Sequence, residues 1–302
     1  MIYPPSLQQG DTIGITCPAG YMPLEKAQAC INKLMNWGYQ VMVGKTLGSS
    51  SNNYFSGTDD ERLEELQAMM DNKDIKAILF GRGGYGMTRI IDRLDFKRFE
   101  KNPKWLIGFS DITVMHCHLL SKYRIASLHA PMAAAFNDDE TENPYLDSLR
   151  DALAGIAGKY TSPPHPFNII GEAKAVLTGG NLSLLINMIG TESEVDTEGT
   201  ILFVEDIGEY LYNFDRMLWQ LKRSGKLKKL KGLILGGFTD MKDTERPFGK
   251  SIDEILKEIV GDADYPVCYH FPVSHERENY ALKIGIKYRL IVRIDTVVLK
   301  EN

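Results

Sequence analysis

The stretch Lys104 to Leu120, KWLIGFSDITVMHCHLL, sets a lone serine between an apolar run and a helical pattern. A hydroxyl at such a seam has two uses. It can cap the helix by accepting from free backbone N–H groups. It can also stand on a sharp strand-to-helix turn as a nucleophile, with the next N–H, that of Asp111, turned to a developing oxyanion. Gly108-Phe-Ser110-Asp-Ile has the first glycine of a G-x-S-x-G elbow and Ile112 where the second would be. Taken alone, the seam favours the cap.

A nucleophilic serine needs a base, and the base needs a carboxylate to orient it. Of six histidines, His116 and His118 follow Ser110 on one helix and point to different faces, which suits packed or solvated side chains better than catalytic ones. His129 precedes Ala-Pro-Met at a strand end and is a pocket candidate. His165 lies in a proline-rich segment, and His270 is flanked by Tyr269 and Phe271. His275 sits in the polar loop PVSHERENYALKIG, where it either reaches a site or faces solvent. For the carboxylate, the apolar run of TILFVEDIGE stops abruptly at Glu205 and Asp206. An acid there faces a site or a partner such as Arg216 or Lys222. Glu205 is nearest the strand, and Glu209 is its rival.

GRGGYG, Gly81 to Gly86, lacks the Lys-Ser/Thr of a phosphate loop and is not G-x-G-x-x-G, so a dinucleotide site is disfavoured. Its glycines permit close backbone approach. Gly83 or Gly84 can lend an N–H to an oxyanion while Arg82 holds a substrate carboxylate. The same residues also suit a tight turn with positive φ. Tyr85 and Asn181 complete the substrate-binding candidates. Cys17 and Cys117 are imaginable nucleophiles, but buried structural thiols are the simpler reading.

These residues must be positioned by alternating elements. DTIGITCPAG, YQVMVG, KAILFGRGGYG, KWLIGFSDIT and RIASLHAPM each begin as strands. The segment after Pro23 up to Gly38, and TDDERLEELQAMM with Thr58 and Asp59 as capping candidates, read as helices, the latter with Leu63, Leu66 and Met70 on one face. Strand–helix alternation predicts a parallel sheet with helices on both faces, and ligands of such sheets sit at the carboxyl ends of strands. CPAG, GRGGYG and GFSD all fall there. We expect an N-terminal domain over 1–135, a linker with one helix over 136–170, opened by the acidic FNDDETENP, and a smaller mixed domain over 171–302. The tail YALKIGIKYRLIVRIDTVVLK alternates as half-buried antiparallel strands do.

The 302 residues allow two cores, and 43% hydrophobic with 25% charged residues is a globular composition. A net charge of −5 argues against nucleic acid as the main partner. The basic run Lys222 to Lys231 reads as a solvated helix end. There is no apolar run of membrane-spanning length and no secretory signal, so a cytoplasmic protein with reduced thiols is expected.

As a set, RGGYG, GFSDIT, GGNLSLL, LFVEDIGEYLYNFDRMLWQL and the late loop histidine resemble, in order, the LD-carboxypeptidase family of serine peptidases, to which the microcin C immunity proteins are related. The resemblance implies a triad of Ser110, Glu205 and His275, with Asp206 and Glu209 supporting. Asp111 and Gly83 or Gly84 would form the oxyanion hole. It implies an α/β protein whose N-terminal parallel-sheet domain is like the class I glutamine amidotransferases, followed by a smaller swivelling β/α domain. The implied reaction is hydrolysis of the amide between an L-centre and the terminal D-alanine of a murein tetrapeptide. No metal or cofactor is required, and a homodimer is expected. Many members carry Gly-His in the late loop and a proline before the final glycine. This chain has Ser274-His275 and Lys283-Ile-Gly285. The rivals are hydrolysis of a peptidyl-nucleotide antibiotic and non-catalytic binding of muropeptides. A cysteine glutaminase fails because the elbow position is serine.

Overall fold

The computed structural model describes residues 1–137, 142–261 and 263–302. Residues 138–141 of the expected acidic linker lie outside them. In chain order the strands are β1 (Thr12–Thr16), β2 (Gln40–Val43), β3 (Ile75–Phe80), β4 (Trp105–Gly108), β5 (Ser127–His129), β6 (Lys159–Ser162), β7 (Gly171–Asn181), β8 (Ile201–Ile207), β9 (Gly232–Thr239), β10 (Val267–Cys268), β11 (Leu282–Ile284), β12 (Lys287–Val292) and β13 (Val297–Glu301). The α-helices are α1 (Gln28–Asn36), α2 (Asp59–Asp71), α3 (Lys97–Lys101), α4 (Thr113–His118), α5 (Pro144–Leu153), α6 (Leu182–Asn187), α7 (Leu211–Arg223) and α8 (Ile252–Val260). The chain forms two compact units, 1–156 with 280–285, and 157–279 with 286–302.

The first unit is built on a six-stranded sheet of order β11-β5-β4-β3-β1-β2. All neighbours run parallel except β11, which lies antiparallel on β5. β4 is buried at every residue and β3 at all but Lys76, as strands covered on both faces must be. Gly38, at φ +92, ends the turn after α1, with Tyr39 N–H returning to Leu34 O. Thr58 caps α2 in a capping box with Glu61. The face that α2 buries is Arg62, Leu66, Met69 and Met70, so Leu63 is only half-buried and an arginine takes a core position. CPAG, GRGGYG and FSD follow the carboxyl ends of β1, β3 and β4.

The second unit holds a seven-stranded sheet of order β10-β9-β8-β7-β12-β13-β6. β7 to β10 are parallel, whereas β12, β13 and β6 are antiparallel. The segment expected as a linker therefore carries α5 in the first unit and an edge strand, β6, in the second. The tail alternates as expected, but its first piece, β11, joins the first sheet and only β12 and β13 join the second. Among the described residues, no helix is long and apolar enough to cross a membrane.

Candidate active site

Ser110 stands at φ +62, in left-handed space that a residue with a Cβ rarely occupies. β4 ends at Gly108, and Ser110 opens a single 3-10 turn that runs into α4. The residues at the N-cap positions of that turn and of α4, Phe109 and Ile112, make no capping bond with their side chains. Ser110 and Asp111 lie inside the 3-10 turn and are not the N-cap residues of that turn or of α4. The Asp111 carboxylate instead accepts from Met87 N–H at 2.8 Å, tying the turn to the end of the glycine loop. Burial pushes Asp111 up to about 6, against the lowering effects of that N–H and of Arg62. Strain held in this way at a serine points to function.

The glycine loop lies against this turn. A Cβ on Gly83 would come within 2.9 Å of Ser110 Cβ and 3.1 Å of its Oγ. Gly83 O accepts from Gly20 N–H at 3.0 Å, and Gly84 has φ +93. Arg82 is exposed and donates from Nη1 to Tyr21 O at 2.8 Å. Tyr85 is 46% exposed, its ring 5.8 Å from Phe55. Gly83→Ala is expected to lower turnover by about 10²-fold, because shifts near 1 Å at reacting groups cost that much. Comparing initial rates at equal folded fraction checks this.

One supporting residue, Arg62, escaped the sequence reading, and the role of another, His116, was not visible in it. Arg62, fully buried, donates from Nη1 to Pro18 O and, at 3.3 Å, to Gly86 O. Its Nη2 pairs with Asp59, which Arg89 also holds, and its guanidinium lies 4.8 Å from the Phe55 ring centroid. It joins the turn after β1 to the glycine loop. The signal in the sequence was Asp59 three residues earlier. His116, read as packed or solvated, is fully buried and does more than fill space. One ring nitrogen, Nε2, lies 2.8 Å from Gly108 O and so must donate, leaving Nδ1 to accept from Ser127 Oγ at 2.8 Å. Burial pushes its proton affinity down to about 4, so it stays neutral. His116→Leu leaves Ser127 Oγ unpaired while Gly108 O keeps the Ala130 N–H at 3.2 Å, and should cost about 1–3 kcal/mol, read as a fall in the urea midpoint.

The other histidines are placed as follows. His118 packs against Phe96 and Tyr123, and His129 edges Phe109. His165 and His270 cluster in the second unit. All four cysteines are buried, and burial pushes the thiols of Cys17 and Cys117 up to about 12, which makes neither a nucleophile.

In the second unit the end of β8 brings together Glu205, Asp206, Asn181 and His275. Glu205 faces Asn181 in register on β7, and a bulge lies between Val204 and Asp206 where β8 meets β9. A bulge re-aims side chains, and here both acids are buried. Glu205 Oε2 lies 2.5 Å from His275 Nδ1. Asp206 accepts from Asn181 Nδ2 at 2.8 Å and from Ser183 N–H at 2.9 Å, while Asn181 Oδ1 caps α6. Burial raises Asp206 to about 6, with Ile207 N–H and Asn181 opposing and Glu205 adding. Glu209 bonds Asn213 instead. The loop carrying His275 packs on Gly236 and Gly237, where a Cβ would meet Val273 O at 2.2 Å and Ser274 Cβ at 2.5 Å. Ser274 staples the loop: Oγ donates to Glu278 O and accepts from Glu276 N–H, both at 3.0 Å. Ser110 belongs to the first unit, Glu205 and His275 to the second.

A strained serine beside a glycine loop and a buried glutamate–histidine pair are the parts of a serine hydrolase. The chain matches the LD-carboxypeptidase N-terminal domain over residues 13–130 and the LD-carboxypeptidase C-terminal domain over 174–290. It belongs to the LD-carboxypeptidase family of serine peptidases. A probable murein peptide carboxypeptidase of Bacillus subtilis is 33% identical over 300 residues, covering 98% of this chain and 94% of that protein. The crystal structure of a muramoyltetrapeptide carboxypeptidase from Oxalobacter formigenes, 30% identical, superposes with a TM-score of 0.87 over 96% of this chain and 98% of the other. The microcin C7 self-immunity protein MccF of Escherichia coli is 26% identical, covering 93% of this chain and 90% of its own length.

Proposed function

We propose that this chain hydrolyses the amide between an L-centred residue, lysine or meso-diaminopimelate, and the terminal D-alanine of murein tetrapeptides. The observation that carries the reading is the buried Glu205–His275 pair, held at 2.5 Å. Glu205 orients the imidazole through Nδ1, and Nε2 takes the Ser110 proton as Oγ attacks the carbonyl carbon. The N–H of Asp111 and that of Gly83 or Gly84 hold the oxyanion, each contributing about 2.7–4 kcal/mol. His275 then protonates the departing D-alanine amine, and water releases the acyl group by the same route. Arg82 receives the terminal carboxylate of the peptide, with Tyr85 and Asn181 beside the substrate.

Family likeness supports the rest of the reading. An N-terminal nucleophile domain like the class I glutamine amidotransferases is followed by a smaller swivelling domain that carries Glu205 and His275. The protein is cytoplasmic and homodimeric. The likeness to MccF keeps acyl-sulfamoyl adenylates as a second substrate class. Incubating the protein with a tetrapeptide and with such an adenylate, and following both by mass spectrometry, tests the proposal. Loss of one D-alanine from the tetrapeptide is expected. Turnover of the adenylate alone would overturn it, and tight tetrapeptide binding without turnover would make the protein a binder.

A further inference from the structure

Away from the acid–histidine pair, the second unit gathers another set of donors. His165, Asp253 and His270 each offer one ligand atom, and these atoms all lie within 4.8 Å of one another. They come from the proline-rich segment after β6, the first turn of α8 and the turn after β10. His270 Nε2 is 2.9 Å from Asp253 Oδ1, and His165 Nε2 is 3.4 Å from Asp253 Oδ2. The His165 ring is stacked on Tyr269 at 5.2 Å and 17°, which fixes its plane. His270 is held at φ +53, a conformation that the fold must impose. A cavity of about 360 Å³ opens beside them, lined in part by Gly237, Asp253, His270 and Glu276.

We propose that His165, Asp253 and His270 bind a divalent transition-metal ion of the zinc type, at a site separate from the hydrolytic residues. Zinc takes imidazole nitrogen and carboxylate oxygen at about 2.0–2.2 Å, so neighbouring ligands of a tetrahedral ion sit about 3.3 Å apart. The histidines contact different oxygens of Asp253, at 2.9 and 3.4 Å, both near that spacing, and the three ligand atoms have to close from within 4.8 Å of one another. Two imidazoles with one carboxylate suit zinc or cobalt, whereas calcium and magnesium take oxygen ligands. The cavity leaves room for water at the open positions.

The binding has identifiable costs. Phe167 N–H donates to His165 Nδ1 at 3.3 Å, so the His165 proton lies on Nε2, toward Asp253. Binding at Nε2 moves that proton to Nδ1 and breaks one long hydrogen bond. The Lys257 ammonium also lies 4.3 Å from the centroid of the Phe167 ring, which edges His165. A nearby cation and only three protein ligands set the expected affinity in the micromolar range.

The test uses the full chain without a tag, stripped by chelator and titrated with Co²⁺ and then Zn²⁺ at neutral pH. Visible cobalt bands saturating at one equivalent are expected, without thiolate charge transfer and displaced by zinc. Zinc should also raise the thermal midpoint. His165→Gln, Asp253→Asn and His270→Asn should each weaken binding at least tenfold; asparagine tolerates the left-handed backbone at 270, so that variant should stay folded. His275→Ala should bind as tightly as the parent. Absence of stoichiometric cobalt binding, binding that survives in the triple variant, or binding lost in His275→Ala would each overturn the assignment.

Discussion

Ser110→Ala is expected to reduce D-alanine release by about 10⁴–10⁶-fold while tetrapeptide still binds. In the proposed mechanism the hydroxyl carries the covalent route, and its loss leaves His275 with nothing to activate. Ser110→Gly should be equally inactive, yet it separates function from stability. Alanine at φ +62 keeps the Cβ clash that serine suffers, whereas glycine does not. We therefore expect the glycine variant to be more stable than the alanine variant by about 1 kcal/mol, read from urea midpoints. Equal stability would remove the argument that the elbow stores strain. Retained turnover in either variant would remove Ser110 from the chemistry.

The sequence made the seam at Ser110 visible but not its use. Serine and aspartate before a helical pattern look the same whether they cap a helix or turn a hydroxyl outward. The difference is one backbone angle, which no residue type there announces. β6 escaped for another reason. Lys159-Tyr-Thr-Ser is short and bounded by Gly158 and Pro163, and its partner β13 lies more than 130 residues later. Local pattern carries no information about so distant a pairing. The alternation of the tail was legible, but alternation does not say which sheet a strand joins, and β11 went to the first. Arg62 was hidden because charge on an amphipathic helix reads as solvated. Its burial depends on two carbonyls, of Pro18 and Gly86, whose approach is a matter of tertiary structure. Glu205 was legible, because a carboxylate at the end of an apolar strand loses its water and must be met there by a donor or a cation.

Glu205→Gln is expected to lower turnover by about 10⁴-fold and to move its pH dependence. In the proposed mechanism His275 is the base, and it can act so only when neutral. Burial pulls its proton affinity down, but the Glu205 hydrogen bond and the charges of Glu205 and Asp206 push it up, and the balance lies above the ordinary histidine value. In the parent protein the acid limb of the rate profile should therefore lie above about pH 6.5. Glutamine removes the hydrogen bond to a charged acceptor and the largest nearby charge, while burial remains. The limb should move to lower pH even as the plateau falls, since an amide N–H facing Nδ1 favours the tautomer with the proton on Nε2, which cannot accept from Ser110. Stability carries the same sign. A folded-state value raised above the unfolded one stabilises the protein fully below about pH 6.5, and this is lost as pH rises through the folded value. The urea-midpoint advantage of the parent over Glu205→Gln should shrink across that window. Glu205→Asp keeps the charge at a greater distance, so its limb should stay near the parent's and part of the rate should return. A limb that stays fixed in Glu205→Gln would show that the pair seen at 2.5 Å does not govern the base.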